Sequence, residues 1–404
     1  MELGSIAKAF TDEAIFYLHS IHLLDLNDPI TKYLPGAPSE WSKITINNLM
    51  EHTSGIREYL SDPRFKADDI FRSLPLDQTA DYFLNKISTD SLVKMFYSLP
   101  LDFRPGETWS YSNTGYILLG KIGEIVSGKP FFDLVREVLT NPLKMSHTEA
   151  NELASAEGRL LPGYFQNDSG YMKRSPVLSS NYAFSAGGWA TSGLDMINYI
   201  KAIHCKTLPS DNKGSGWRSY STTKLLPFTY HFGRFYSVYH GRHLYLHNGG
   251  TPGFSSSWIY VKEDTISIII MCNRQDYAPI DQLAWKILSL YDPFLNIPNE
   301  IITGKKEKEN VLLIKKILKA IQQNKPLPKG LSEPLRIFMK SESGRGLWKW
   351  VFEKGFPHNV YCVDKEIIGN LKAYRFRLSL NLKTEYRITA IINENNKLTQ
   401  LLWW

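Results

Sequence analysis

The stretch SIAKAFTDEAIFYLHSI, residues 5–21, is the segment from which the fold is inferred. Its apolar residues recur at helical spacing and share one face: Ile6, Phe10, Ala14 and Tyr17. Ser5 is a residue type favoured at a helix start, and Gly4 permits the turn into the helix. The sequence therefore predicts a helix over residues 5–21 that packs one apolar side against the rest of its domain.

Ser5 and Lys8 lie three residues apart in this helix, so both side chains project from the same face. A helix N-terminus also favours a nearby negative charge. A serine hydroxyl becomes an effective nucleophile when a neighbouring base removes its proton, and a partly desolvated lysine one turn away can act as that base. The pattern alone is weak, because Ser-x-x-Lys recurs at residues 91–94, 210–213 and 221–224. An ordinary helix start explains the same residues.

The second candidate element is the triplet YSN, Tyr111 to Asn113, in a loop directly before a predicted helix. A nearby lysine ammonium lowers the pKa of a tyrosine below its usual value of about 10, which would make Tyr111 a base. Asn113 would then orient a substrate amide or the lysine. The alternative interpretation is that Tyr111 packs in the interior and Asn113 caps the helix.

The third candidate element is HNGG, residues 247–250, at the end of one predicted strand. Glycines at this position let backbone N–H groups approach a ligand closely. The N–H near Gly250 would pair with that of Ser5 to form an oxyanion hole, and His247 would hydrogen-bond the substrate or the leaving group. The alternative is a tight strand connection around Gly249, since a second His-x-Gly occurs at residues 231–233.

Composition excludes several classes of protein. The 43% hydrophobic and 22% charged content is ordinary for a globular protein. The longest apolar run, residues 265–272, is too short to span a bilayer and indicates a buried strand. Three cysteines (Cys205, Cys272 and Cys362) show neither metal-binding spacing nor a disulfide framework. The sequence thus predicts no transmembrane segment and no metal site.

The charge is distributed unevenly along the chain. Residues 1–299 hold 27 Lys and Arg against 30 Asp and Glu, whereas residues 300–404 hold 20 against 10. A basic region of this kind can meet nucleic acid or an anionic membrane. Because no nucleic-acid-binding motif accompanies it, we interpret the basic region as a solvated surface and expect no nucleic-acid partner.

The order of predicted elements divides the chain into two units. Between residues 5 and 205, helical patterns alternate with loops. After the first helix and a turn-rich loop at 25–41, residues 44–56 predict a short helix ending at Gly55, and the irregular, polar residues 57–100 hold helical pieces such as 79–87. A loop at 103–113 precedes helical patterns at 114–128 and 129–143, and a glycine-hinged loop precedes the helix near 193. Residues from about 228 to 273 show alternating, β-rich runs typical of successive antiparallel strands, and residues 278–291 predict a closing helix. We predict an α/β (α+β) domain over 1–295, in which helices flank an antiparallel sheet.

The remaining residues predict a smaller unit. Residues 296–310 read as a linker, and 311–404 as a small α+β module with helical patterns at 311–325 and 334–355. Strand-like runs follow at 371–380, 384–392 and 397–404, with hairpin-like joints between them. We interpret this module as accessory: it either covers the site of the first domain or mediates self-association.

Taken together in this order, the three elements resemble the serine β-lactamase-related hydrolases, which include class C β-lactamases, D,D-peptidases of the penicillin-binding type and related esterases. The resemblance covers residues 1–295. It extends to these flanking stretches: LGSIAKAFT (3–11), LNDPITKYLP (26–35), ITINNLMEHTSGI (44–56), FRPGETWSYSNTGYILLGKIGEIVSG (103–128), AGGWATSGLDM (186–196) and HNGGTPGFSSSWIYV (247–261). It implies an antiparallel sheet flanked by helices.

The resemblance also implies roles for individual residues. Ser5 attacks an acyl carbonyl, Lys8 and Tyr111 share the proton transfers, and Asn113 orients the substrate and Lys8. His247, with Gly249 and Gly250, stands where β-lactamases of this type carry lysine in a Lys-Thr-Gly element. The exchange removes a permanent positive charge that favours a substrate carboxylate, so an ester or D-amino-acid peptide substrate is favoured over a β-lactam. His52 is expected to be structural. No metal or organic cofactor is implied.

Two expectations concern the whole protein. Members of this family carry a segment with the first strands before the nucleophile, so this sequence is expected to begin inside the domain. No signal peptide is visible, which predicts a cytoplasmic location as written, or a periplasmic or envelope location if such a segment precedes Met1. The alternative to a serine hydrolase is a non-catalytic relative that acts as a binding or assembly protein. Neither interpretation fixes the oligomeric state.

Overall fold

The nucleophile segment forms the predicted helix. A single 3-10 turn, Gly4–Ala7, continues into helix α1, Lys8–Ser20. Almost every side chain of α1 is buried, because the helix lies between a sheet on one side and other helices on the other. The structure, a computed structural model, describes residues 1–65, 83–84, 87–166, 170–211, 228–275, 280–296, 300–353, 355–379 and 385–403.

The helices that follow α1 surround it or close the domain. They are α2 (Ile46–Met50), α3 (Thr89–Phe96), α4 (Asn113–Ser127), α5 (Phe131–Val135), α6 (Asn151–Ala156), α7 (Ser180–Gly187), α8 (Gly193–Cys205) and α9 (Ile280–Tyr291). Helix α4 begins with the Ser112 hydroxyl accepting from the Gly115 N–H and ends at Gly128 in the left-handed conformation. Asn113 is therefore held at the N-terminus of a helix that is capped at both ends.

The strands of this part of the chain form one main sheet and three small pairs. The small pairs are β1 (Phe83–Leu84) with β5 (Val177–Leu178), β2 (Glu149–Ala150) with β6 (Trp189–Ala190), and β3 (Tyr164–Gln166) with β4 (Met172–Arg174). The main sheet consists of β7 (Phe228–His231), β8 (Arg234–Tyr239), β9 (Arg242–Thr251), β10 (Phe254–Val261) and β11 (Ile266–Cys272), antiparallel in chain order.

Two-residue turns connect β7 to β8 and β8 to β9. Phe232–Gly233 and His240–Gly241 all have positive φ, which is the conformation of the tight hairpin turns that match strand twist. The second turn fixes the register of β9 against β8, with Phe235 opposite Leu246. On its other side β9 pairs with β10, so that His247 lies opposite Trp258 and Gly250 opposite Ser255. Strand β9 lies alongside the 3-10 turn that precedes α1.

Close backbone contacts hold α1 against the sheet. A Cβ placed on Gly4, whose φ is +59°, would lie 2.7 Å from the Gly250 nitrogen, and one placed on Gly233 would lie 2.3 Å from the Ala9 nitrogen. Only glycine permits approaches of this kind. The start of the 3-10 turn is thus fixed against β9, and the start of α1 is fixed against the β7–β8 turn.

The C-terminal segment, residues 300–403, has its own core. Its helices α10 (Lys305–Gln322), α11 (Glu333–Lys340) and α12 (Glu342–Glu353) pack on an antiparallel sheet of β12 (Asn359–Ile368), β13 (Leu371–Ser379), β14 (Glu385–Ile392) and β15 (Leu398–Trp403). Buried side chains between Ile314 and Leu401 form a cluster separate from the core around α1.

Most sequence-predicted elements are confirmed, and five differ. Helix α2 ends at Met50 rather than continuing toward Gly55, because His52 and Gly55 take left-handed conformations. The loop expected before α8 contains helix α7. The helical piece expected at 79–87 contains strand β1 at Phe83–Leu84. Of its other residues, only Ile87 lies within the described part of the chain. Strand β12 was not predicted. The linker expected at 296–310 is helical from Lys305 onward.

No helix within the described residues is long and apolar enough to cross a bilayer. Cys205, Cys272 and Cys362 are free thiols. Among the described residues, no group of three or more His, Cys, Asp or Glu side chains converges as metal binding would require.

We predict that Gly4→Ala destabilises the protein far more than Gly128→Ala. Both glycines have positive φ, so each alanine costs about 1–3 kcal/mol of backbone strain, but only Gly4 would also collide with the backbone of β9. Gly128 has no heavy atom within 4 Å of the added Cβ and is the matched control. Chemical denaturation should show at least twice the loss in free energy of unfolding for Gly4→Ala; equal losses would contradict this packing.

Candidate active site

Ser5 presents its hydroxyl at the surface of an otherwise buried segment. Every other residue from Glu2 to Phe16 is buried, whereas Ser5 is partly exposed. The Gly249–Gly250 backbone of β9 packs directly against Gly4, the residue before Ser5. The structure thus brings together the nucleophile candidate and the glycines that the sequence assigned to an oxyanion hole.

The amine of Lys8 lies in the interior and has three acceptors. Its Nζ is 3.0 Å from the Ser5 Oγ, 2.7 Å from the Asn113 Oδ1 and 2.7 Å from the Ala186 carbonyl oxygen. Burial lowers the pKa of Lys8 to about 7, against the opposing attraction of Glu58 and Asp12. A substantial fraction of neutral amine is therefore present near neutrality, and its lone pair can accept the Ser5 proton.

The third acceptor of Lys8 depends on a kink in α7. Phe184 has φ 37° and ψ −130° within this helix, which is strained for a residue other than glycine. After the kink, the Ser185 carbonyl accepts from the Thr11 hydroxyl at 2.6 Å and the Ala186 carbonyl accepts from Lys8. The sequence analysis missed this contact, because a backbone acceptor leaves no signature in the residue types.

Tyr111 lies beside Ser5 and Lys8, but its titration differs from the expectation. The Lys8 Nζ is 4.9 Å from the centre of its ring. Burial raises the pKa of Tyr111, and interaction with the Ser5 hydroxyl only partly offsets this effect. The buried hydroxyl has no hydrogen bond within normal distance limits. The pKa of Tyr111 is therefore shifted in the direction opposite to the one that the sequence analysis expected from the charge of Lys8.

Asn113 links Lys8 to a residue that the sequence analysis did not identify, Glu58. The Asn113 Nδ2 donates to Glu58 Oε1 at 3.0 Å, and its backbone N–H donates to Glu58 Oε2 at 2.5 Å. Because a carboxylate only accepts and an ammonium only donates, these partners fix the amide with Oδ1 toward Lys8. Asn113 is the first residue of α4, and the capping role that the alternative interpretation gave to it belongs to Ser112.

Glu58 occupies the N-terminal end of α4. Its carboxylate also accepts from the Thr114 N–H at 3.4 Å and the Leu60 N–H at 3.3 Å. Burial raises the pKa of Glu58, while the bonds from Asn113 and Leu60 and the Lys8 charge lower it. The only signal available in the sequence was an acidic residue six positions after His52.

His247 is buried, and both ring nitrogens are engaged. Its Nδ1 is 2.5 Å from the Asn248 carbonyl oxygen, and its Nε2 is 2.9 Å from the Tyr230 hydroxyl. Burial, together with the Lys8 charge, lowers the pKa of His247 to about 3, so the ring is neutral. Since Nδ1 faces a carbonyl, it carries the proton, and Nε2 accepts from Tyr230. The structure therefore gives His247 fixed protein partners at both nitrogens.

His52 has the surroundings of a structural residue. Its Nδ1 accepts from the Ser112 N–H at 3.1 Å, and its ring packs against Tyr111 and Tyr230 with centroids 4.5 Å and 4.3 Å away. Burial holds its pKa well below the usual value. His52 thus supports the backbone that carries Tyr111 without contacting Ser5 or Lys8 through a hydrogen bond.

Comparison with known proteins agrees with this arrangement. The family model described as Beta-lactamase matches residues 1–291. Penicillin-binding protein 4* of Bacillus subtilis is 26% identical over 302 residues, covering 70% of this chain and 63% of that protein. Teichoic acid D-alanine hydrolase of Staphylococcus aureus is 26% identical over 235 residues, covering 57% and 52%.

A solved structure also resembles this one. The D-stereospecific amidohydrolase from Streptomyces sp. aligns with a TM-score of 0.61 at 26% identity, over 72% of this chain and 86% of that chain. The chain spans 52% to 66% of the length of the curated relatives it matches. The shared region contains Ser5, Lys8, Tyr111, Asn113 and His247.

Proposed function

Since the chain belongs to the beta-lactamase family, we propose that it is a serine hydrolase that forms an acyl-enzyme at Ser5. The observation that carries this proposal is the pairing of a partly exposed serine with a buried lysine amine 3.0 Å away, whose pKa is about 7. The wider family includes proteins named as amidohydrolase, D-alanine hydrolase and penicillin-binding protein.

Acylation follows from the geometry. The neutral amine of Lys8 takes the Ser5 proton as Oγ bonds to the substrate carbonyl carbon, and the carbonyl oxygen becomes an oxyanion. The backbone N–H groups of Ser5 and Gly250 face this oxyanion and stabilise it. Asn113, held by Glu58, keeps the Lys8 amine directed at Ser5.

Proton delivery to the leaving group is assigned to Tyr111. As the carbon–oxygen or carbon–nitrogen bond breaks, the Tyr111 hydroxyl protonates the departing atom and regains a proton from the Lys8 ammonium. Water then enters, loses its proton to Lys8, and attacks the acyl carbon. The product acid leaves, and Ser5 recovers its proton, so no net proton remains on the enzyme.

The substrate that we favour is an ester or amide of a D-amino acid. The names of two relatives, teichoic acid D-alanine hydrolase and D-stereospecific amidohydrolase, support this class. Neutral His247 supplies no positive charge for the carboxylate that penicillins and cephalosporins carry. We therefore rank D-aminoacyl esters and amides above β-lactams.

We predict that Ser5→Ala abolishes turnover of chromogenic substrates, with a loss of about 10³-fold or more in kcat. The panel consists of p-nitroanilides of D-alanine and L-alanine, p-nitrophenyl butyrate and a chromogenic cephalosporin. Ser91→Ala is the matched control, because Ser91 belongs to an exposed Ser-x-x-Lys on α3.

Wild-type protein and Ser91→Ala should hydrolyse the D-alanine compound faster than the L-alanine compound. Turnover that survives Ser5→Ala would overturn the assignment of the nucleophile. A folded wild type that turns over nothing in the panel would instead favour the non-catalytic binding protein.

We predict a pH profile of kcat/KM that rises by about tenfold per pH unit below pH 7 and levels off above it. The sign follows from Lys8, whose pKa falls from its usual 10.5 to about 7 and which acts as a base only when deprotonated. Initial rates with the ester between pH 5 and 9 measure the profile. A flat profile, or one that falls through pH 7, would contradict the role of Lys8.

A further inference from the structure

The first turn of α12, in the C-terminal segment, contacts the part of the chain that holds Glu58. The Ser343 hydroxyl donates to Asp102 Oδ2 at 2.6 Å, and the Ser343 N–H donates to the same oxygen at 3.0 Å. The Asp102 side chain is only 2% exposed. Hydrogen bonds to a buried carboxylate are among the stronger ones in proteins.

The same carboxylate and hydroxyl hold the turn at Arg57–Glu58. The other Asp102 oxygen, Oδ1, accepts from the Arg57 Nε at 2.9 Å. The Ser343 Oγ, having donated to Asp102, accepts from the Glu58 N–H at 3.3 Å. Ser343 thus binds the backbone of Glu58 directly and the side chain of Arg57 indirectly, through Asp102.

This turn leads directly to the candidate base. The Glu58 carboxylate binds the Asn113 amide, and the Asn113 Oδ1 accepts from Lys8. Three successive hydrogen bonds, through Glu58 and Asn113, therefore connect Ser343 to the Lys8 amine. A second contact also joins the C-terminal segment to residues near the candidate site. The Thr108 hydroxyl donates to the Pro334 carbonyl at 2.9 Å, three residues before Tyr111.

The C-terminal segment also contacts the sheet side of the site. Asp364 is 3.1 Å from the His240 Nε2, and Glu366 accepts from the Gly241 N–H at 3.1 Å, both at the β8–β9 turn. The Arg375 guanidinium lies 4.1 Å from the centre of the Tyr239 ring. Strand β9 continues from this turn to His247. The segment therefore contacts both the turn that holds Glu58 and the turn that precedes β9, the strand of His247.

We propose that Ser343 is a positioning residue for the candidate active site, which holds the Arg57–Glu58 turn and, through Glu58 and Asn113, sets the position of the Lys8 amine. The inference rests on the proposed function in taking Lys8 as the base. It assigns to the C-terminal segment a part in catalysis without any contact between that segment and the substrate.

The charges that face Lys8 give the direction of the expected effect. Glu58 and Asp12 stabilise its ammonium form, whereas His52 and His247 are neutral. When the Glu58 turn loosens, the attraction between Glu58 and Lys8 weakens. The pKa of Lys8 should then fall further.

The test compares Ser343→Ala with Ser341→Ala and Ser343→Thr. The Ser341 hydroxyl accepts from the Gly344 N–H and donates to the Phe338 carbonyl, so it stabilises the start of α12 without contacting Asp102 or Glu58. Lys8 is titrated by NMR of protein labelled with lysine carrying ¹³C at Cε, its resonance assigned by its absence in Lys8→Arg. The kcat for the best chromogenic substrate is measured in parallel.

In Ser343→Ala, the Lys8 midpoint should fall by about 0.5 pH unit and kcat by about fivefold. Ser343→Thr keeps the hydroxyl and should restore both values, and Ser341→Ala should lower the melting temperature alone. An unchanged midpoint and kcat in Ser343→Ala, or an equal midpoint shift in Ser341→Ala, would overturn the proposal. If the midpoint shifts while the wild type turns over nothing, the coupling stands and the hydrolase proposal fails.

Discussion

The burial of the Lys8 amine is the constraint on which the candidate site depends. A lysine on the surface would remain an ammonium at neutral pH and could not take a proton from serine. Here the interior position of α1 removes water from Nζ and lowers its pKa to about 7. Three acceptors keep the buried amine paired in its charged form, which limits the cost of burial. The chemistry proposed for Ser5 therefore depends on the packing of α1.

That packing depends on backbone geometry rather than on reactive side chains. Gly4 lets the start of the 3-10 turn contact β9, and Gly233 lets the β7–β8 turn contact the start of α1. The kink at Phe184 directs the Ala186 carbonyl at Lys8. Gly233 and Phe184 are remote in sequence from Ser5, yet the residues they position lie against the same segment as Gly4. Together they place the Lys8 amine 3.0 Å from the Ser5 hydroxyl.

The sequence pointed to the candidate residues that the structure brings together, but not to their surroundings. Ser5, Lys8, Tyr111, Asn113 and the glycines after His247 were found because each belongs to a local pattern with known chemistry. Glu58 and Tyr230 were missed, because their roles arise from contacts across 55 and 17 positions in the chain. The direction of the pKa shift at Tyr111 differs from the expectation, since residue types alone do not tell how far burial outweighs a nearby charge. Alternation and turn residues predicted the main sheet, but α7 and β12 lacked clear periodicity.

The central claim, that Lys8 activates Ser5 as a nucleophile, is tested most directly by intact-mass analysis after incubation with a fluorophosphonate at pH 8. This reagent needs no knowledge of the substrate, because it reports the reactivity of the serine itself. The account predicts one adduct on the wild type, mapped to the peptide that contains Ser5, and none on Ser5→Ala. A folded wild type without an adduct, or equal labelling of both proteins, would contradict it.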